Sequence, residues 1–364
     1  MRFLKEFAGC LSVGFILAAL PALLFLVGCR ATSAHESLQR FEFKLPHMGT
    51  LFTITLYASD EVEARAASDA AFAKIAALER VMTDYDPDSE LMQLCQKPFG
   101  QPVPVSEELF EVLQQAQKVA ELTDGALDVT VGPVVRLWRR ARREESLPRA
   151  DLLERALTPV GWRKLKLDPG AKTVGLTVPD MQLDLGALGK GFAADKALAV
   201  LKLKGVTRAL IAASGDIAAG DPPPGQRGWR VGIGNMEAKE PWLAASILLK
   251  NAAVSTSGDS EQFVEIGGRR YSHIVDPHTG IGLTERLQVS VIAPRATDSD
   301  SFDTAISVLG VKRGLALVES QPGMAAIILR KNGDQVEVFE SRRFKRIRYA
   351  GLQDGRWKSE KVRK

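Results

Sequence analysis

From Thr50 to Tyr57 the sequence Thr-Leu-Phe-Thr-Ile-Thr-Leu-Tyr alternates β-branched or aromatic residues with apolar ones, the pattern of a half-buried strand. The period then changes. Between Asp60 and Met82, apolar residues at Phe72, Ile75, Leu78 and Met82 fall on one helical face, with Ser59 or Asp60 placed to cap it. Ser106 opens a second helix, with Glu107 and Glu108 in its first turn and Phe110, Leu113, Ala116 and Ala120 facing inward. Ala209–Ala213, Trp229–Ile233, Leu243–Leu249, Leu287–Ala293, Ala325–Arg330 and Gln335–Glu340 read as strands. No internal repeat interrupts them. Many turn-connected strands with a few inserted helices predict an α+β fold of mixed, mostly antiparallel sheets rather than a doubly wound parallel sheet.

At 364 residues the chain suits one large unit or two closely packed halves. Hydrophobic residues at 45% and charged residues at 25% exclude a disordered chain. The net charge of +4 comes largely from the stretch Ser341–Lys364, where Arg342, Arg343, Lys345, Arg346 and Arg348 crowd together. A solvated face or frayed terminus accounts for such a stretch, and the near-balanced body offers no basic stripe for nucleic acid. Arg2 and Lys5 precede an apolar run from Phe7 to Val27 that ends in Leu26-Val27-Gly28-Cys29. That ending resembles the lipobox of bacterial lipoproteins, in which the cysteine is lipidated and becomes the first mature residue. The expected organisation is a signal peptide over 1–28, a polar tether over 29–40 lipidated at Cys29, a folded body over 41–350 and a basic tail over 351–364. The body is expected on the periplasmic side, anchored to the inner or outer membrane. Cys95 alone then remains, so no internal disulfide is expected, and its plain role is that of a small packed residue.

Three segments carry candidate chemistry. Tyr271-Ser272-His273-Ile274-Val275-Asp276-Pro277-His278-Thr279-Gly280 holds two of only four histidines and closes on turn formers, which places His273 at a strand-to-loop edge as a candidate general base. Asp184-Leu185-Gly186-Ala187-Leu188-Gly189-Lys190-Gly191 is glycine-rich and ends beside a lysine, so its backbone and Lys190 suit phosphate oxygens, although a tight strand-to-helix turn needs the same glycines. It is neither a Walker loop nor a dinucleotide fingerprint. Asp300-Ser301-Phe302-Asp303-Thr304 starts a helix through Ala305, Val308 and Leu309, and on it Asp300 and Thr304 present oxygens four residues apart on one face. Hard oxygens of that kind suit Mg²⁺, and they also suit a helix cap.

Further landmarks join these in a fixed order: Met48-Gly49-Thr50, Tyr85 with Pro87 to Leu91, Thr123 to Thr130 leading to Leu137-Trp138, Val160 to Arg163, Thr256 to Asp259, and Val308-Leu309-Gly310. Together they resemble the ApbE family, the FAD:protein FMN transferases. The resemblance implies an ApbE-like, T-fold-like α+β domain and a Mg²⁺-dependent enzyme. It would cleave FAD, pass FMN to a threonine hydroxyl of an acceptor flavoprotein and release AMP. Met48, Tyr85, Ala126, Leu127, Asp128, Asp184, Lys190 and Ile274 would line the FAD site. The side chains of Asp300 and Thr304 and backbone oxygens of Ala187 and Asp303 would hold the metal, with His273 as base. The acceptor would be a membrane redox subunit or a secreted flavoprotein. Three positions depart from the family pattern: Asp303 where a small residue is usual, Gly189 for alanine, and Ser214-Gly215-Asp216 for Gly-Gly-Asp. Two rival readings share the site. An FAD pyrophosphatase would use water as acceptor, and a non-catalytic flavin-binding lipoprotein would bind without releasing AMP.

Overall fold

The alternation at Thr50–Tyr57 belongs to a hairpin in which β1 (Gln39–His47) pairs antiparallel with β2 (Thr50–Ala58) across the turn Met48-Gly49. The computed structural model describes residues 38–233, 245–258 and 263–351, all within the compact unit Ser37–Lys364. Gln39 and Arg40 are thus strand rather than tether. Cys29, the signal segment and residues 352–364 of the tail lie outside the described residues.

Helix α1 (Glu61–Met82) follows the hairpin and is capped by Asp60, whose side chain accepts from Glu63 N. Next come α2 (Glu90–Cys95), β3 (Pro102–Pro104), α3 (Glu107–Thr123), α4 (Gly132–Glu144), α5 (Ala150–Leu157), β4 (Leu165–Asp168) and β5 (Thr173–Leu176). The middle of the chain holds α6 (Gly189–Leu203), β6 (Ala209–Ala213), β7 (Asp216–Ala219), β8 (Trp229–Ile233), β9 (Ala245–Leu249) and β10 (Ala252–Gly258). The last part holds β11 (Phe263–Ile266), β12 (Arg269–Ser272), β13 (Leu287–Ala293), α7 (Ala296–Ser320), β14 (Ala325–Asn332), β15 (Gln335–Glu340) and α8 (Arg342–Gly351).

Eight strands form one sheet in the order β1-β2-β6-β7-β10-β13-β14-β15, and every neighbouring pair is antiparallel. The α+β expectation holds, and the sheets are more uniformly antiparallel than expected. Among the described residues the parallel pairing is an isolated bridge from Val131 to Gln182. Both faces of the main sheet are covered. On one, Phe52, Ile54 and Leu56 of β2 pack with Ile75 and Leu78 of α1 and with the alanine-rich face of α6, while α7 packs on β13 through Phe302 and Ile306. On the other, Trp229 and Ile247 meet Val254, Ile292 and Ile327. Central β13 is buried along its whole length, so its apolar run is nearly continuous, as a strand covered on both faces requires.

Two further expectations change. Helix α7 begins at Ala296, so Asp300 lies in its second turn and is not a cap. The helix breaks at Gly310, whose φ of 73° favours glycine. The basic stretch after Ser341 is not a frayed end as far as Gly351. It forms α8, in which Phe344 is fully buried against the sheet. Arg343 donates to Val318 O at 2.6 Å, Gln321 O at 2.5 Å and Met324 O, and so satisfies carbonyls at the C-terminal end of α7 and in the turn that leads to β14. Charge density alone hid this because the apolar anchors, Phe344 and the half-buried Ile347, sit among arginines. Phe344→Ala should lower unfolding free energy by about 3–5 kcal/mol, the usual cost of emptying an aromatic core position. A denaturant melt unchanged by this substitution would show that α8 is not part of the core.

Candidate active site

The site depends on how closely α7 approaches α6. No side chain caps α7 at Arg295; instead Asp195 of α6 accepts from Ala296 N and Thr297 N, each at 2.8 Å, and from Thr297 Oγ1 at 2.6 Å. Gly191 permits the contact, since a Cβ there would lie 2.3 Å from Ala296 O. Its N–H donates to Asp300 Oδ2 at 2.8 Å. Ser255 and Ser257 of β10 meet Ser299 and Ser307 of α7 at 2.8 and 2.9 Å, fixing the helix on the sheet. This rotation turns Asp300, Asp303 and Thr304 toward one cavity, the face that their spacing of three and four residues predicts.

Asp216, at the start of β7, joins them. Carboxylate oxygens of Asp216, Asp300 and Asp303 all lie within 4.8 Å of one another, and all three residues are buried. One ammonium faces the three: Lys190 Nζ is 2.9 Å from Asp216 Oδ2 and 3.7 Å from Asp300 Oδ1. Burial, and then the charge of Asp216, push the Asp300 carboxyl up to about 7, against the pull of Lys190 and the Gly191 N–H. Burial and the neighbouring carboxylates of Asp300 and Asp216 also raise Asp303 well above the usual carboxylate range. Desolvation works against the Lys190 charge, but Asp300 and Asp216 outweigh it and hold the lysine above its ordinary value. Fully ionised, the three carboxylates would carry more negative charge than Lys190 can balance, so they hold protons instead, and their hard oxygens fit a divalent cation. The backbone oxygen of Asp303, implied as a ligand by resemblance, accepts from Ser307 Oγ at 2.8 Å. The Asp303 carboxylate is the group that joins the cluster.

His273 follows β12 directly, at the strand-to-loop edge expected of it, and it lines the same cavity. Its loop is tied down on both sides. Ile274 N donates to Ser272 Oγ at 3.1 Å, Leu283 N to Ile274 O at 2.9 Å, and Trp138 Nε1 of α4 to Gly280 O at 2.7 Å. Gly280, at φ 70°, closes the turn against Leu153 and Leu157 of α5.

The remaining lining converges from separate elements. Met48 occupies the first turn position of the β1–β2 hairpin at φ 50°, where glycine or asparagine is usual, and its N–H donates to Glu79 Oε1 at 2.6 Å. Ala126 and Leu127 follow the left-handed turn Asp124-Gly125 that ends α3. Asp128 lines the cavity but uses its oxygens within the protein, accepting from Thr130 N and Oγ1 and, at 2.7 Å, from Trp162 N. Burial raises its pKa against those bonds. Asp184 accepts from Gly186 N and from Arg139 Nη2, each at 2.8 Å, and Tyr85 is 77% exposed at the mouth.

All thirteen expected site residues within the described chain line this one cavity of about 1070 Å³: Met48, Tyr85, Ala126, Leu127, Asp128, Asp184, Ala187, Lys190, His273, Ile274, Asp300, Asp303 and Thr304. That exceeds the ~300–1,000 Å³ typical of small-molecule sites and leaves room for a dinucleotide. Asp216 and Arg139 were not singled out as site residues. The departure Ser214-Gly215-Asp216 was the available signal for Asp216. Ser214, at φ 57°, occupies the turn position where glycine sits more easily, which places the aspartate at the strand start facing Lys190.

A spacious cavity with buried carboxylates suited to a hard cation, an adjoining lysine and a histidine on an anchored loop has the make-up of an enzyme site suited to phosphorylated substrates. The sequence profile of the ApbE family matches residues 48–328, and the chain belongs to that family. The chain is 30% identical over 335 residues to the FAD:protein FMN transferase of Salmonella typhimurium, covering 90% of this chain and 95% of that one. It is 35% identical over 297 residues to that of Treponema pallidum, covering 78% and 82% respectively. Among solved structures, the flavin transferase ApbE from Vibrio cholerae superposes with a TM-score of 0.77 at 26% identity, over 85% of this chain and 99% of that one. The apo flavinyl transferase ApbE of Pseudomonas stutzeri gives 0.76 at 28% identity, over 87% and 99%.

The carboxylate cluster sets a pH dependence. An unfolded aspartate titrates near about 3.9, whereas folded Asp300 holds its proton up to about 7. Between those values the folded state binds more protons, so the metal-free protein should lose stability as pH rises through this window. Denaturant melts in EDTA at several pH values between 4 and 8 should show the loss, and Asp300→Asn should flatten it. Parallel slopes for the two proteins would refute the assignment.

Proposed function

We propose that this protein is a Mg²⁺-dependent FAD:protein FMN transferase that attaches FMN to a threonine of an acceptor flavoprotein and releases AMP. The observation carrying the reading is that His273, Lys190 and the Asp216, Asp300, Asp303 and Thr304 oxygens line one cavity large enough for FAD. Family membership and the names of the curated relatives supply the substrate and the class of acceptor.

The threonine Oγ attacks the phosphorus on the FMN side of the pyrophosphate. The bond from that phosphorus to the bridging oxygen breaks, and AMP departs with that oxygen. The threonine proton passes to the His273 imidazole. Lys190 offsets negative charge on the phosphate oxygens, and the anchored loop of His273 and the turn at Met48 hold the reacting groups in place. When bound by Asp300, Asp303, Thr304 and Asp216, with the Ala187 carbonyl at hand, a Mg²⁺ ion would supply further charge neutralisation at the pyrophosphate. Positioning and electrostatic stabilisation suffice for phosphoryl transfer of this kind without a covalent enzyme intermediate.

The lipobox-like Leu26-Val27-Gly28-Cys29 supports a lipid-anchored protein acting on the periplasmic side, on a membrane redox subunit or a secreted flavoprotein. A protein beginning at Arg30, mixed with FAD, Mg²⁺ and a flavin-acceptor domain, should yield an FMN adduct on an acceptor threonine by intact mass, together with equimolar AMP. AMP and free FMN without adduct would instead identify a pyrophosphatase, and bound FAD with neither product a carrier. His273→Ala should abolish transfer and leave FAD bound; retained transfer would remove it as base. Asp300→Ala should raise the Mg²⁺ concentration needed for half-maximal rate by at least about tenfold, the loss of one charged ligand. An unchanged requirement would count against that ligand.

A further inference from the structure

We infer that Arg139 is a positioning residue for FAD, which acts by locking the exposed ring of Tyr85 to the wall formed by the glycine-rich run. The inference rests on the proposed FAD reading of the cavity. Arg139 projects from α4 and joins two walls that are far apart in sequence. Its Nη1 pairs with Asp84 Oδ2, its Nη2 lies 2.8 Å from Asp184 Oδ2, and its Cζ sits 4.3 Å from the centre of the Tyr85 ring. One guanidinium therefore makes three contacts at once: two ion pairs and a cation–π stack.

The partners explain why the position matters. Asp84 and Tyr85 belong to the loop between α1 and α2, and Asp184 begins the run that leads through Gly186 and Ala187 to Lys190. Both carboxylates are largely buried, at 11% and 9% side-chain exposure, so without the guanidinium they would lose their shared ion-pair partner and repel each other. Tyr85, by contrast, is 77% exposed, and its ring is anchored through Arg139 rather than by burial. An exposed aromatic ring held still at a cavity mouth is a stacking platform for a flat heteroaromatic ring, and FAD carries two. Lysine cannot substitute for this geometry, because a point charge lacks the planar fork and the stacking face.

The effect belongs in binding, not in chemistry, because Arg139 lies on the Tyr85 and Asp184 side and has no contact with the Asp216, Asp300 and Asp303 cluster among the described residues. Steady-state transfer by the lipid-free protein tests this. Arg139→Met and Arg139→Lys should each raise KM for FAD by roughly tenfold and change kcat at saturating FAD by less than about threefold. In a double-mutant cycle with Tyr85→Ala, the two KM effects should be strongly sub-additive, because both substitutions remove the same platform. Arg139→Met with Asp84→Asn guards against misfolding: one repelling carboxylate is gone, the protein should melt near the parent, and the KM defect should persist. An unchanged KM in this folded pair, full additivity with Tyr85→Ala, or a fall in kcat at constant KM would overturn the inference. Failure of the unmodified protein to bind FAD at all would instead overturn the FAD reading, and this inference with it.

Discussion

Three buried carboxylates facing one lysine form the electrostatic constraint around which the molecule is arranged. Like charges that close are stable only if they hold protons, meet a cation, or are forced together by packing. Packing does the forcing here. Gly191 lets α6 and α7 touch at backbone distance, Asp195 seats the start of α7, and the serine contacts to β10 set its rotation. Raised carboxyl pKa values are the direct consequence, and the same excess of negative charge is what makes the cluster attractive to a divalent ion.

Much of this was legible in the chain. The period-two alternation of β2, the cap and apolar face of α1, and the strands at Ala209–Ala213 and Leu287–Ala293 follow from local patterns that the tertiary structure reinforces. The thirteen landmark residues line one cavity because most sit at an element end or turn, where residue type is tied to backbone shape, while Asp300, Asp303 and Thr304 share one face of α7. What stayed hidden depended on partners distant in sequence. Asp216 is an ordinary strand-start aspartate until Lys190 and α7 meet it, and Arg139 is one arginine among many in α4 until Asp84 and Asp184 close around it. The start of α7 was misplaced by four residues because its cap is supplied by Asp195 of another helix, which no local signature reveals. Helix α8 was hidden for a related reason: one buried phenylalanine outweighs a crowd of charges.

The polar groups of the cavity are also unequal in what they can offer a ligand. Asp128 has committed its oxygens to Thr130 and Trp162, and Asp184 its oxygens to Gly186 and Arg139, so both shape the wall more than they contact what lies within it. Asp300, Asp303 and Lys190 face one another instead, and their charges are the ones an incoming pyrophosphate or cation would reorganise.

The pairing of β2 with β6 gives the site a divided origin. These strands are neighbours in the sheet, yet α1 to α6 and the small β3-β5-β4 sheet intervene in sequence. That excursion supplies Tyr85, Ala126, Arg139 and Asp184, whereas Asp216, His273, Asp300 and Asp303 come from the chain after β6. A molecule filling the cavity therefore touches both portions of the polypeptide and staples shut the long loop on which the sheet order depends. Occupancy of the cavity is then also a brake on unfolding, because the excursion cannot peel away from the sheet until the molecule bridging them has left.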